Sequence, residues 1–503
     1  MRNFAYMITV LFLGLGMFTQ GYLYELNYLF AGMGLLAAAV VLTLKQRQLR
    51  LHLGHFLLGG LVLLYWLSLL VAVDKEKAVL EAVRMTAMLP FALISTTLSK
   101  DQMQRIFRWF PYAGAVVAGV GIAGGLYRQG RLESTIGYAN ALAVCLLVCL
   151  LMTLLFYVSE GRKRDFVCMI IQSAGLLLTL SRSVWVLWAL SLGCLLFIKE
   201  FRSKGLLLKI GAAHLTGYLL AAIVKGNFLF FWSRLQTIQP TTSEFRLRLV
   251  YWKDALAMLI DHLWLGAGGG GWSVLQAYYQ SEPYYVRFVH NHYLQLAVDV
   301  GLPGALLFGG IVLLFYVKSS RWLLSTKPTA SAWADFWPKG LMLIGTVMLL
   351  HAGFDFDFSF VLVIALLWLL IERVMAETPV EKIWPVKFKA IATSLLSAGL
   401  VVLLACTGWL AVGKAMQTKA QNEAAAGELE TALHHTAKAQ KMMPWAASTY
   451  YDMAKIYVQL GNQTKDPSQY QSALIQIEQA VSRVPQEELY RTLEIELRKS
   501  FKM

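Results

Sequence analysis

Thirteen apolar segments, separated mostly by short polar connections, fill the chain up to about residue 413 and leave it few ways to fold. They run at roughly 4–20, 22–44, 53–73, 80–98, 110–127, 136–158, 166–181, 183–199, 206–224, 292–317, 339–354, 359–376 and 390–413. A helix needs ~20 residues to cross a bilayer. Lipid offers the backbone no hydrogen bonds, so a spanning segment must satisfy its own N–H and C=O groups, which a helix does. The spacing predicts an all-α polytopic membrane bundle of about 12–13 transmembrane helices. The segment at 166–181 is the weakest candidate for a full span, and the two near 339–376 are short enough to tilt or re-enter. With 57% hydrophobic and 15% charged residues, an ordinary soluble domain is excluded. Met1-Arg2-Asn3 leads into apolar sequence without a small-residue cleavage site, so the first helix is expected to be retained. Cys145, Cys149, Cys168, Cys194 and Cys406 all sit inside apolar runs and read as small hydrophobes.

Lysine and arginine in the connections set the orientation. Basic clusters follow every even-numbered helix: Lys45, Arg47 and Arg50; Lys100, Arg105 and Arg108; Arg162, Lys163 and Arg164; Lys199, Arg202 and Lys204; Lys318, Arg321 and Lys327; Arg373, Lys382 and Lys387. These ends are expected in the cytoplasm, with the N-terminus inside and, after an odd number of helices, the C-terminal part outside. The net charge of +15 follows from these loops, so nucleic acid is not an expected partner.

Two polar segments fall on the outer side. One is the loop at about 225–291, where Leu249, Tyr251, Trp252, Leu256, Leu259 and Ile260 pattern as an amphipathic helix on the membrane surface. The other is the tail at 414–503, expected as a separate helical domain beside the membrane domain at 1–413. Ala432, Ala439 and Pro444 recur at the same offsets as Ala473, Ala480 and Pro485, with Tyr450, Ala454 and Tyr457 before the second set. This pattern resembles tetratricopeptide repeats and suggests a surface for an envelope protein; a plain helical hairpin packed on the membrane domain is the alternative.

The same topology gathers polar residues on the outer side. His290 and Asn291 stand where the loop enters the tenth helix, and imidazole is the side chain suited to proton transfer near neutral pH. Arg182 lies in the turn Leu180-Ser181-Arg182-Ser183, Arg128 and Arg131 in the preceding outer loop, and Arg246 and Arg248 in the long loop. Asp355 and Asp357 follow His351 in a late outer turn. Arginine disfavoured by the positive-inside bias needs a reason to be here, and a guanidinium fork suits phosphate oxygens. Snorkelling explains Arg182 as well, and solvation explains Arg248. His290 could instead be a packed, hydrogen-bonded histidine, and His292 reads as structural. The glycine run Gly266 to Gly271 lacks the Lys-Ser/Thr of a phosphate-binding loop and reads as a turn allowing close backbone approach. His351, Asp355 and Asp357 could ligate a divalent ion, but aspartates in turns commonly cap helices, and no metal is expected.

His290-Asn291, nine residues, then Gly301-Leu302-Pro303-Gly304 resembles the signature of the O-antigen ligase and O-antigen polymerase superfamily, with Ala305 where the family has threonine. Asp299 stands where the family has an acidic residue. Arg248 to Trp252 is similar to its Arg-x-x-x-Trp pattern, and Leu265-Gly266-Ala267-Gly268 to its Leu-Gly-x-Gly pattern, with Leu263 after His262 where proline is common. Ser181-Arg182 and Asp355 resemble further outer-face residues of the family. The resemblance is strongest over about 246–304 and looser over the rest of the membrane domain.

The resemblance implies a GT-C-like enzyme of the bacterial cytoplasmic membrane that transfers a glycan from a polyprenyl-diphosphate donor, such as undecaprenyl diphosphate, to a glycan or protein hydroxyl. His290 would be the base, Arg182 and Arg248 would hold the diphosphate, and Asp355 would orient the imidazole or the acceptor. Arg246, Asn291, Arg128 and Arg131 would contribute to substrate binding. No cofactor is implied, because the donor is already activated. Protein O-glycosylation is the nearest rival. A transporter is disfavoured by the lack of paired halves and of ionisable residues within spans, Arg84 being one exception. An inert scaffold would not need the outer arginines.

Overall fold

The computed structural model describes residues 1–45, 48–236, 243–325, 336–378, 384–387 and 390–500. Arg47, Lys327 and Lys382, three of the expected cytoplasmic charges, lie outside the described residues. The chain is an all-α polytopic bundle with an appended helical tail. Its helices are α1 (Arg2–Phe18), α2 (Glu25–Lys45), α3 (Leu53–Leu67), α4 (Lys75–Thr86), α5 (Met88–Ser95), α6 (Lys100–Ala123), α7 (Ala139–Glu160), α8 (Lys163–Leu178), α9 (Arg182–Leu195) and α10 (Lys204–Lys225). The outer loop holds α11 (Phe230–Gln236), α12 (Ser243–Asp261) and α13 (Gly271–Tyr279). Then come α14 (His292–Ser325), α15 (Trp337–Ala352), α16 (Val361–Glu377) and α17 (Ala390–Ala425). The tail continues as α18 (Leu429–Met442), α19 (Ala447–Thr464), α20 (Pro467–Arg483) and α21 (Glu488–Ser500).

Each of the thirteen apolar segments is helical. Among the described residues, eight helical stretches are long and apolar enough to cross a bilayer. The expected weak segment is α8, with 16 residues, and α15 and α16 have 16 and 17. At 1.5 Å per residue such helices span only about 24–26 Å, shorter than the ~30 Å hydrocarbon core. α7 and α16 are apolar on all sides and buried along almost their whole length, which makes them the centre of the bundle. α1 instead exposes Met7, Leu11, Leu15 and Phe18 along one stripe, the pattern of a face turned to lipid.

The basic connections gather at one end. A short antiparallel ladder pairs β1 (Gln48–Leu51) with β2 (Trp384–Lys387) and joins the connections after α2 and α16. Lys100 reaches Glu377 at 2.7 Å, and Arg108 bridges Glu160 and Asp165. The opposite end carries the turns before α7 and α9, the outer loop, the turn between α15 and α16, and the tail.

Glycines explain how the outer loop locks onto α14. The helix breaks at Val300 and Gly301, the latter at φ +75°. Leu302 N–H donates to Leu263 C=O, and Ala267 N–H to Val298 C=O, both at 2.8 Å. A Cβ on Gly301 would lie 2.3 Å from Trp264 O, and one on Gly266, at φ +70°, 2.4 Å from the Asp299 carbonyl carbon. The two glycine patterns are therefore the halves of one backbone contact, which is the close approach expected of the 266–271 run. Gly301→Ala adds a backbone clash to a conformation, φ +75° with ψ −179°, that is essentially restricted to glycine and costs an L-residue about 1–3 kcal/mol. It is expected to lower the melting temperature of the purified protein clearly; unchanged melting would contradict the interlock.

The tail is two helical hairpins, α18 with α19 and α20 with α21. Both turns use the same bonds: Met443 N–H to Ala439 and Ala446 N–H to Met443, then Val484 N–H to Ala480 and Glu487 N–H to Val484. The repeated alanines Ala432, Ala439, Ala473 and Ala480 are fully buried at the helix contacts. Residues 413 and 414, the expected domain boundary, lie within continuous α17, and the first helix break falls after Ala425. Glu76 of α4 docks the tail by accepting from Lys414 Nζ at 3.1 Å and Ser448 Oγ at 2.7 Å.

Candidate functional site

Three of the sequence-predicted residues converge from separate elements. Asp355, fully buried in the turn between α15 and α16, accepts from His290 Nδ1 at 3.0 Å. Arg248, on α12, places a guanidinium nitrogen 3.7 Å from the other carboxylate oxygen. The side chains of His290 and Arg248 are 22% and 21% exposed, so both are reachable from outside while Asp355 is not.

The donor count around Asp355 bears on its two expected roles. Besides His290, it accepts from Tyr138 Oη at 2.9 Å, Asn140 Nδ2 at 2.6 Å and Phe356 N at 2.9 Å. A carboxylate has about four lone-pair positions, so these donors fill it. Of the two expected roles, orienting the imidazole fits and contacting the acceptor does not. Burial pushes the carboxyl up, but His290, Arg248 and His351 outweigh it and hold it well below the usual carboxylate range. An anionic carboxylate only accepts, so His290 Nδ1 donates and Nε2 of the neutral ring keeps a lone pair. With its folded pKa depressed, Asp355 contributes stability that is full above the ordinary carboxyl pKa of ~3.9 and fades as pH falls toward the folded value.

The backbone around His290 is set for this pose. His290 has φ +55°, in the left-handed region, which costs a non-glycine residue about 1–3 kcal/mol. Its C=O accepts from Trp252 Nε1 at 3.2 Å, and its ring meets Phe356 edge-on with centroids 5.2 Å apart. Arg248 and Trp252 are four residues apart on α12 and share one face, so one helix supplies both the cation and the histidine's clamp.

Asn291 Oδ1 accepts from the N–H groups of Tyr293 and Leu294 at 3.1 and 3.2 Å. It caps α14, a structural use of the residue expected at the substrate. His292 is buried against Phe308 and Phe358, as its structural reading required. Arg246 is exposed and paired with Glu282 at 2.5 Å, because two residues along a helix turn a side chain to the far face from Arg248. Arg128 is exposed and paired with Glu133 at 2.9 Å. Neither is brought to His290. Arg131 donates to Thr179 C=O and to Asn140 Oδ1, which orients the amide that holds Asp355.

Arg182 opens α9, half-buried, directly after Leu180 at φ +53° and Ser181. Its turn is tied to the Asp355 turn twice. One route runs through Thr179, Arg131 and Asn140, the other through Ser183 Oγ to His351 Nε2 at 3.0 Å and His351 Nδ1 to Asp357 at 2.6 Å. Asp357 thus faces His351 while Asp355 faces His290, so these three residues do not converge as one ligand set. Tyr138, Asn140 and Phe356 were not anticipated from sequence. The signal available was an asparagine at the start of the otherwise apolar α7, since a buried amide requires partners.

Among the described residues, His52, His55 and Glu372 bring ligand-type atoms within 4.8 Å of one another near the basic end. Gly54 N–H donates to His52 Nδ1 at 3.1 Å and His52 N–H to His55 Nδ1 at 3.3 Å. Each neutral ring has one lone pair, and it is engaged there. Both Nε2 atoms therefore carry protons and lie 3.2 Å from Glu372 Oε1. The cluster presents N–H groups, not lone pairs, and works as a clasp between α3 and α16.

The sequence model of a family described as O-antigen ligase matches residues 167–309. The match spans less than a third of the chain and includes Arg182, Arg248, His290 and the glycine interlock, but not Asp355 or the tail. It supports the O-antigen ligase superfamily. No curated protein matches the chain.

Proposed function

We propose that this protein transfers a glycan from a polyprenyl-diphosphate-linked donor to a hydroxyl acceptor on the outer face of the bacterial cytoplasmic membrane, polymerising or ligating a surface polysaccharide. The family match supports glycan transfer of the O-antigen ligase or polymerase type in general. The observation that carries the finer reading is the His290 and Asp355 pair with Arg248 beside it.

His290 Nε2 takes the proton from the acceptor hydroxyl as the oxygen attacks the anomeric carbon of the donor sugar. The bond from that carbon to the diphosphate oxygen breaks, and polyprenyl diphosphate leaves with the electron pair. Its growing negative charge is met by Arg248 and Arg182, half-buried cations whose positions are fixed before reaction. Asp355 fixes the tautomer and steadies the imidazolium. The diphosphate already activates the sugar, so neither a metal nor a cofactor enters these steps.

The basic connections gathering at the end away from His290 support an orientation with the N-terminus in the cytoplasm and the tail outside. Membrane depth is supported by α12, whose exposed face carries Phe245, Leu249, Leu256 and Ile260 at helical spacing, an interfacial pattern. The tail's repeated hairpins support a tetratricopeptide-like module on the outer face.

Arg248→Lys tests the diphosphate contact. A point charge cannot reproduce the guanidinium fork, and losing one preorganised donor costs on the order of 10²-fold in rate. Transfer to surface polysaccharide is expected to fall by that amount at equal protein level; an undiminished rate would mean a solvated loop charge.

A further inference from the structure

A cavity of about 320 Å³, lined by charged and aromatic side chains, lies near the His290 and Asp355 pair and is not used by the chemistry above. Phe288 forms part of its wall and stacks on Phe356 with centroids 4.3 Å apart. Phe356 in turn meets the His290 ring and donates its N–H to Asp355. One pair of stacked rings therefore separates the cavity from the His290 ring.

Lys77, Glu81 and Arg84 reach the cavity at i, i+4 and i+7 along α4, so one helix face supplies three charges. Arg84 is buried, pairs with Glu81 and donates to Ser359 C=O at 2.6 Å. Glu25, Tyr28, Tyr285 and Arg287 complete the walls that matter here. A second cavity of about 300 Å³ shares Glu25, Lys77 and Leu80 with the first and runs beneath the tail to Ser448 and Tyr490. Lys77 Nζ sits at the junction, 3.1 Å from both Ser273 Oγ and Glu487 of the tail.

We propose that these joined cavities hold the sugar units of the acceptor glycan, with the tail as part of the glycan path. The inference rests on the glycan-transfer reading and gives that site its acceptor side. Glu25 and Glu81 stand among the cations Lys77, Arg84 and Arg287, a mixed-charge lining that differs from the arginines at Arg182 and Arg248. Carboxylates and guanidinium groups suit hydroxyls that both donate and accept, and the exposed ring of Tyr285 suits the C–H face of a sugar. The volume is at the lower end of the ~300–1,000 Å³ range of small-molecule pockets, so each cavity suits a short stretch of saccharide.

Tyr285 and Arg287 are exposed on the rim, so replacing them leaves the core intact. The test uses full-length protein in nanodiscs and the delipidated surface polysaccharide of the producing cells, with binding read by saturation-transfer NMR. Tyr285→Ala with Arg287→Gln is expected to weaken binding by about tenfold or more, whereas Arg128→Gln, on an exposed side chain that lines neither cavity, binds as the unmodified protein does. Absent binding to the unmodified protein, or equal binding to the double variant, overturns the glycan path even where His290→Ala abolishes transfer. Weakened binding in the double variant, with transfer persisting in His290→Ala, upholds the path and overturns the assigned chemistry instead.

Discussion

His290→Ala is expected to reduce glycan transfer by about 10²–10⁴-fold, the usual contribution of a positioned general base, with membrane insertion unaffected. The acceptor hydroxyl is a poor nucleophile, and the His290 ring is the titratable group that Asp355 aims with a free nitrogen. Its backbone needs a control, because φ is +55° and alanine tolerates the left-handed region less well than histidine does. His290→Asn supplies it. Asparagine accepts that conformation and can still bond to Asp355, but it has no basic lone pair. Both variants are expected to accumulate in the membrane and to lose transfer together. Restored transfer in His290→Asn would assign the loss in His290→Ala to the backbone, and the base role would fall.

Asp355→Asn is expected to be almost as damaging, roughly 10³–10⁴-fold, through the tautomer and not through contact with substrate. The amide has two N–H donors where the carboxylate has only acceptors. Toward Tyr138 and Asn140 the amide NH₂ meets hydroxyl and amide donors; toward His290 it faces Nδ1 and drives the ring proton to Nε2. The donor clash disfavours the first orientation, in which the amide oxygen would still accept from Nδ1, and the second spoils the base. The fall is expected in kcat with little change in KM, since the filled carboxylate contacts no acceptor. A change confined to KM would return Asp355 to the acceptor-binding role.

Much of this was legible in the sequence. Apolar run length located all thirteen helical segments, because lipid leaves the backbone no other option. Motif order placed Arg248, His290 and Asp355, and the glycine run announced a close approach. Its partner was not legible, since that is the backbone of Val298 and Asp299 at a break inside an apolar helix. Tyr138 and Asn140 meet Asp355 from more than two hundred residues away, and no local pattern encodes such a pairing. Arg246 and Arg248 could have been separated earlier, because a helix turns residues two apart to opposite faces. Asn291 carried a second meaning from the start, as asparagine before a helix is a preferred cap.

Transfer driven by His290 from a lipid-diphosphate donor releases the leaving group in step with bond formation. Its most direct test incubates the purified full-length protein in nanodiscs with the lipid-linked glycan extracted from the producing cells, and counts polyprenyl diphosphate released per glycosidic bond formed. One released per bond is expected, with neither detected for His290→Ala. Glycan joined without release of polyprenyl diphosphate, or equal release from His290→Ala, would contradict the claim.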